Sequence, residues 1–142
     1  CEGAVLEIGC GHFSTPCLHS LCAVLGLPLV TTEIEDVWRE PFMGYNTATH
    51  QVLKQTDALL AEFAAKEWGL VFVDDFPDAR LAHLDLFYNS ARFVLLHDVN
   101  FVEYKEPMEK WVAARQCFYR YYTRVGPHTL AVSKTHPIPD FQ

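Results

Sequence analysis

The sequence predicts an α/β fold in which a mostly parallel sheet carries helices on both faces. Three observations point there. Short apolar runs recur between Ala4 and Leu96, as strands buried on both faces do. Segments of helical periodicity separate most of these runs, the alternation that builds parallel crossovers of right-handed sense. Glycines and acids gather just where the runs end.

Residues 4–8 (AVLEI) are the first strand, broken by Gly9-Cys10-Gly11. Thr15 suits an N-cap and Pro16 the first helical position, so a helix is expected from there to about Leu25, with Gly26 stopping it. Residues 28–32 (PLVTT) read as the second strand, with Glu33 at its end, and a short helix near 36–43 is closed by Gly44. Residues 50–55 (HQVLKQ) are the third strand, and 57–66 a helix with Leu59, Leu60 and Phe63 on one face. Residues 70–73 (LVFV) form the clearest strand, followed by Asp74-Asp75 and a helix over 77–88. The fifth strand is 93–96 (FVLL), ending in His97-Asp98. Beyond Asn100 the pattern changes: a helix over 107–114, a β-rich stretch over 118–125 and a last strand over 129–133 (TLAVS). Gly126-Pro127 makes those two strands antiparallel neighbours. Residues 135–142 are proline-rich and expected to be extended.

At 142 residues, half of them hydrophobic, the chain reads as one domain with a real core over 1–142. Its net charge of −7 repels phosphate backbones, so no nucleic-acid partner is expected. No run spans a membrane and no signal peptide is evident. The chain opens on Cys1 almost directly before a strand, which reads as a truncated N-terminus. The five cysteines are odd in number and include no CxxC, which favours a reducing, cytoplasmic setting. Cys10, His12, Cys17 and His19 have a zinc-like spacing, but Cys17 and His19, two apart on a helix, point to different faces.

An open α/β sheet binds ligands outside the carboxyl ends of its strands. The polar residues of this chain collect there: Glu7 with Gly9 and Gly11, then Glu33, Asp57, Asp74, Asp75, His97 and Asp98. Gly9 and Gly11 allow a sharp turn and a close backbone approach, and the helix that follows aims free N–H groups at the same place. The third glycine of a dinucleotide fingerprint would fall at Ser14.

The segment Val5-Leu6-Glu7-Ile8-Gly9-Cys10-Gly11 resembles the first motif of class I S-adenosylmethionine-dependent methyltransferases. Glu33 resembles that family's ribose acid, Thr56-Asp57-Ala58-Leu59 its adenine segment, and Val71-Phe72-Val73-Asp74 its fourth-strand motif. Leu95-Leu96-His97-Asp98 is similar to a small-molecule branch whose fifth strand ends in His-Asp. The resemblance covers nearly the whole chain. It implies a Rossmann-like three-layer sandwich with a seven-stranded sheet, the last strand inserted antiparallel. It implies S-adenosyl-L-methionine as cofactor, with Glu7, Gly9, Cys10, Gly11, Ser14, Thr15, Glu33, Asp57 and Asp74 around it. The methionine carboxylate would sit by the loop 11–15 and the adenosine between Glu33 and Asp57.

Methyl transfer needs alignment, and a protic acceptor also needs a base. Asp74, Asp75, His97 and Asp98 are the catalytic candidates. Several of these polar residues have a structural alternative: Glu7 bracing the glycine loop, Asp57 capping its helix, Asp75 capping the 77–88 helix and His97 bonded to backbone, while Arg80 could pair at the surface with Asp78 or bind an anionic substrate. Asp74 and Asp98 align with two metal positions of the catechol-type group, but Val99 stands where that group has Asn, with Asn100 one place on, so no metal is expected. The acceptor is expected to be a small molecule; Tyr104, Trp111, Tyr119, Tyr121 and Tyr122 could line its pocket or serve the core. A non-catalytic binding module and a nicotinamide-dependent oxidoreductase are the rival readings. Gly9→Val is expected to abolish cofactor binding while sparing the fold.

Overall fold

The computed structural model describes residues 3–100, 102–124 and 126–140, and of 102–104 the backbone. Cys1, Val125, Gln142 and the Tyr104 side chain, all used above, lie outside the described residues. Seven strands form one sheet: β1 (Val5–Ile8), β2 (Leu29–Glu33), β3 (His50–Lys54), β4 (Trp68–Val73), β5 (Ala91–Leu96), β6 (Phe118–Tyr122) and β7 (Thr129–Ser133). Their order is β3-β2-β1-β4-β5-β7-β6. The first five are parallel, and β7 inserts antiparallel between β5 and β6. Strand order reverses between β1 and β4, which opens a crevice at their carboxyl ends.

The helices are α1 (Ser14–Leu25), α2 (Asp36–Arg39), α3 (Asp57–Ala64), α4 (Pro77–Phe87) and α5 (Val102–Ala113), with a 3-10 helix over Glu40–Tyr45. One face of the sheet packs Leu60 and Phe63 of α3, Leu84 and Phe87 of α4, and Met108, Trp111 and Val112 of α5 against Leu6, Ile8, Val71, Val73, Val94 and Leu96. The opposite face carries α1, where Cys22 meets Val5 and Leu29, and the 3-10 helix, where Phe42 meets Val52 and Cys10.

Local differences from expectation have local causes. Thr15 is not an N-cap and Pro16 is not the first helical residue: α1 starts at Ser14, after Phe13. Thr15 is buried inside the first turn, where its hydroxyl accepts from the Gly11 N–H at 3.0 Å. Pro16 is tolerated because first-turn N–H groups have no helical partner. Gly44 lies within the 3-10 helix instead of ending a helix; Pro41, lacking an N–H, stops α2 and forces the tighter winding. Pro107 does not open α5 but lies inside it. Burial of Met108, Trp111 and Val112 outweighs a proline cost of about 3 kcal/mol. Strands β4 and β5 each begin two residues earlier than their apolar runs suggest, because Trp68 and Ala91 pair directly. Residues 134–140 form no regular element, and this tail is tied down by the Tyr122 hydroxyl donating to the Pro139 carbonyl at 2.9 Å and by the Arg120–Asp140 ion pair.

Candidate active site at the strand ends

The carboxyl ends of β1, β2, β4 and β5 enclose a hollow of about 400 Å³ lined by Cys10, Glu33, Trp38, Asp74, Asp75, Phe76, Pro77, Arg80 and Asp98. Its shape starts at Gly9. That residue has φ +92°, and a Cβ there would lie 2.5 Å from the Asp74 carbonyl oxygen. Only glycine lets the β1 exit cross the β4 exit this closely. The expectation that Gly9→Val spares the fold is therefore corrected: valine would push main chain against main chain. At Gly11 a Cβ would lie 2.3 Å from Ser14 Oγ and 3.5 Å from Asp74 Oδ2, so the bare backbone leaves a cradle that a side chain would fill.

Glu33 ends β2 with only 8 % exposure. Its Oε2 accepts from the Cys10 N–H at 3.0 Å and its Oε1 from the Glu35 N–H at 2.8 Å. The carboxylate is thus fixed beside the glycine loop, with a lone pair on each oxygen left for a vicinal diol. Glu7 is fully buried behind the loop, on the α1 face of β1. Burial pushes its carboxyl up to about 7, against the opposing pull of the Thr31, Ser14 and Thr15 hydroxyls. Its Oε2 accepts from the Thr31 hydroxyl at 2.8 Å. Burial, reinforced by Glu7 and Glu33, raises the Cys10 thiol to about 12, so it stays protonated.

Asp74 and Asp75 diverge. Asp74 Oδ1 meets His97 Nδ1 at 3.0 Å. Asp75 Oδ2 lies 2.8 Å from His83 Nδ1 within the fold, and α4 has no side-chain cap. His97 is half-buried beside the Phe72 ring, 5.9 Å away, and its imidazole bonds a carboxylate and not backbone. The Asp74 hydrogen bond raises its pKa above the ordinary value, partly offset by burial. Asp98 holds a left-handed φ of 56°, uncommon for a residue with a side chain.

Arg80 was expected at the surface. It is 5 % exposed and ties the site together: Nε donates to the Asp75 carbonyl, Nη1 to the His97 carbonyl, and Nη2 lies 3.5 Å from Asp74 and 3.9 Å from Asp98. Its place in the first turn of α4, behind two adjacent acids, was the available signal. Asp74, His97 and Asp98 bring one ligand atom each within 4.8 Å of one another, and the Arg80 guanidinium already supplies positive charge there.

Asp57 stands exposed at the start of α3 and does not line the hollow. Thr56, not Asp57, caps that helix, its hydroxyl accepting from the Leu59 N–H at 3.1 Å. The aromatic candidates also lie elsewhere: Trp111 is core, Tyr119 and Tyr121 are on β6, and Tyr122 lines a separate apolar cavity with Phe93 and Leu95. The sequence reading missed Trp38 and Phe76, which line the hollow, and the buried His50.

No protein-family model matches the chain, and no curated protein matches it by sequence. Solved structures match it by fold, methyltransferases among them: the chain has their fold. The SAH-bound methyltransferase PaMTH1 of Podospora anserina superposes with a TM-score of 0.70 at 15 % identity, over 94 % of this chain and 72 % of that one. The ribosomal protein L11 methylase of Lactobacillus delbrueckii subsp. bulgaricus gives 0.66 at 19 %, over 94 % and 71 %. A methyltransferase from Pyrococcus furiosus gives 0.68 at 14 %, over 93 % and 75 %.

Proposed function

We propose that this chain is a single-domain, cytoplasmic, class I S-adenosylmethionine-dependent methyltransferase acting on a small molecule. The observation that carries the reading is Glu33: a carboxylate locked by two main-chain N–H groups, set across from a glycine cradle. The charge of the hollow supports it. Glu33, Asp74 and Asp98 line the hollow together with one guanidinium, that of Arg80, a balance that suits a cationic ligand and opposes a dinucleotide pyrophosphate.

When bound, the cofactor supplies an electrophilic methyl on a sulfonium. The residues of the chain hold and align: Glu33 takes the ribose diol, and the loop from Gly9 to Thr15 takes the amino-acid end. Orientation of this kind contributes ~7–11 kcal/mol to such displacements. His97, its Nδ1 held by Asp74, keeps Nε2 available to accept the proton of an acceptor hydroxyl or amine. Arg80 fixes the Asp74 carboxylate and the His97 main chain in that arrangement.

Calorimetry with S-adenosylmethionine, S-adenosylhomocysteine and NADH tests the reading. Binding of the first two and not the third is expected, with Glu33→Gln weakening both by roughly 10–100-fold, the worth of charged hydrogen bonds. A folded protein that binds neither sulfur ligand would sink it. Binding without turnover, on a panel of small acceptors and of peptides (the Lactobacillus neighbour being a methylase of a ribosomal protein), would leave a binding module.

A further inference from the structure

Behind the glycine loop, a line of polar groups crosses three strands under α1. Glu7 on β1 pairs in register with Thr31 on β2, and His50 opens β3 beyond it. All three are buried, at 0 %, 0 % and 2 % exposure. Glu7 Oε2 and Thr31 Oγ1 are 2.8 Å apart, Thr31 Oγ1 and His50 Nε2 2.9 Å, and His50 Nδ1 and His19 Nδ1 2.9 Å. His19 is half-buried on α1, with the Tyr45 ring edge-on at 4.9 Å. The line therefore runs unbroken from the sealed floor of the candidate site to the edge of α1.

Every link is a hydroxyl or an imidazole, each able to donate and accept. Two proton orders fit the same heavy atoms. In one, His19 Nδ1–H donates to His50 Nδ1, His50 Nε2–H donates to Thr31, and the Thr31 hydroxyl donates to an ionised Glu7. In the other, a protonated Glu7 Oε2 donates to Thr31, Thr31 to His50 Nε2, and His50 Nδ1–H to His19 Nδ1. We propose that these four residues form a two-state proton relay through which the charge of Glu7 is set from the α1 surface. The change from first order to second is balanced. One proton arrives at His19 Nε2, one passes along each link, and Glu7 ends neutral.

His50 switches tautomer in this change but never carries charge. That agrees with the burial that holds its ring down to about 4, below the range near 7 where Glu7 exchanges its proton. Other titratable groups stand around Glu7. The Cys10 thiol on the loop and the Cys22 thiol on α1 are both raised by burial. Asp74, at the end of β4, adds a like charge that favours neutral Glu7. Glu33 and Arg39 act on the neighbouring Cys10 thiol, with opposite signs.

The inference does not depend on the cofactor, because the test needs none. Long-range proton–nitrogen NMR on the full chain with 15N-labelled histidine reads each imidazole nitrogen of His50 directly. Between pH 5.5 and 8.5 His50 is expected to stay neutral and to change from Nδ1–H to Nε2–H, with a midpoint near 7, where Glu7 titrates. In Glu7→Gln the change disappears. In Thr31→Val, which keeps the shape and cuts the link, it disappears as well, which covers a failure of the first variant to fold. His19→Phe, placed to keep the contact with Tyr45, is expected to move the midpoint by at least roughly half a pH unit, the scale of a lost buried hydrogen bond. A single His50 tautomer throughout, protonation of its ring within the range, or a midpoint indifferent to His19 would each overturn the relay.

Discussion

The two faces of the sheet are built from different materials. The face under α3, α4 and α5 is hydrocarbon: Leu6, Ile8, Val71, Val73, Leu84, Phe87 and Leu96 are all at 0 % exposure. The other face changes character from strand to strand. Under α1 it buries Glu7, Thr31 and His50. Across β4, β5 and β7 it leaves Leu70, Phe93, Leu95 and Ala131 around a cavity of about 500 Å³, closed on one side by Ile138 and Pro139. The closed face supplies stability, and the face beside it carries the titratable groups. The candidate site at the strand ends draws on both, since Arg80 comes from α4 and the glycine loop leads into α1.

The sharpest way to break this comparison is the same deletion on each face. Leu84→Ala, in the closed face, is expected to cost about 3–5 kcal/mol, the range for removing a sealed leucine. Leu95→Ala, half-buried on the cavity wall, is expected to cost about 1 kcal/mol, because part of its surface is already wet. Urea unfolding measures both, and equal losses would mean that the second face is packed as tightly as the first.

Next in size is Glu7→Gln. Glu7 titrates near 7 in the folded chain against 4.5 ordinarily. A raised carboxyl binds its proton more tightly folded than unfolded, so its favourable contribution is present below pH 4.5 and is lost as pH rises through 7. The stability of the variant relative to the parent is therefore expected to rise by about 3 kcal/mol between pH 4.5 and 8. His50 works in the opposite sense. Its ring is held down to about 4, so its contribution is present above the ordinary 6.5 and is lost as pH falls toward 4. Melting temperatures across pH for both variants, Glu7→Gln and His50→Gln, separate the two.

At the rim, His97 and Asp74 make a contrast with His50: one imidazole is raised by a carboxylate, the other lowered by burial. If His97 takes the acceptor proton, turnover rises with pH through its raised pKa, and His97→Gln loses roughly 10²-fold or more. Asp74→Asn is expected to move that midpoint to lower pH, because its hydrogen bond is the largest cause of the shift. A pH–rate profile identical in Asp74→Asn would remove His97 from the chemistry.

Most of the frame was legible because parallel strands announce themselves as apolar runs, and the acids at their ends were visible for the same reason. Glu33 and Asp74 line one hollow, His97 bonds Asp74 beside it, and Glu7 lies buried behind the glycine loop. The rest depended on contacts between distant segments. Nothing in the sequence tells that Asp75 turns to His83 while Asp74 turns to His97. Nor does it tell that Arg80 folds back over both strand ends. Gly9 was legible as a turn, but its role as the crossing point of β1 and β4 needed the Asp74 main chain in place. His50 read only as the start of a weak strand, because its partners lie on β2 and α1.

The smallest effect compares two helix starts, one on each face. On the closed face, α3 has a built cap: the Thr56 hydroxyl accepts from the Leu59 N–H. On the other, α1 begins after Phe13, whose side chain makes no cap and is 91 % exposed. Thr56→Ala is expected to cost about 1 kcal/mol, the usual worth of a threonine cap. Phe13→Ala is expected to change stability by no more than about 0.5 kcal/mol, as for an ordinary surface site. Thermal unfolding of the pair reads the difference. If Phe13→Ala proved the costlier of the two, the start of α1 would be held by contacts of that ring, and the asymmetry between a finished helix end and an open one beside the glycine loop would not stand.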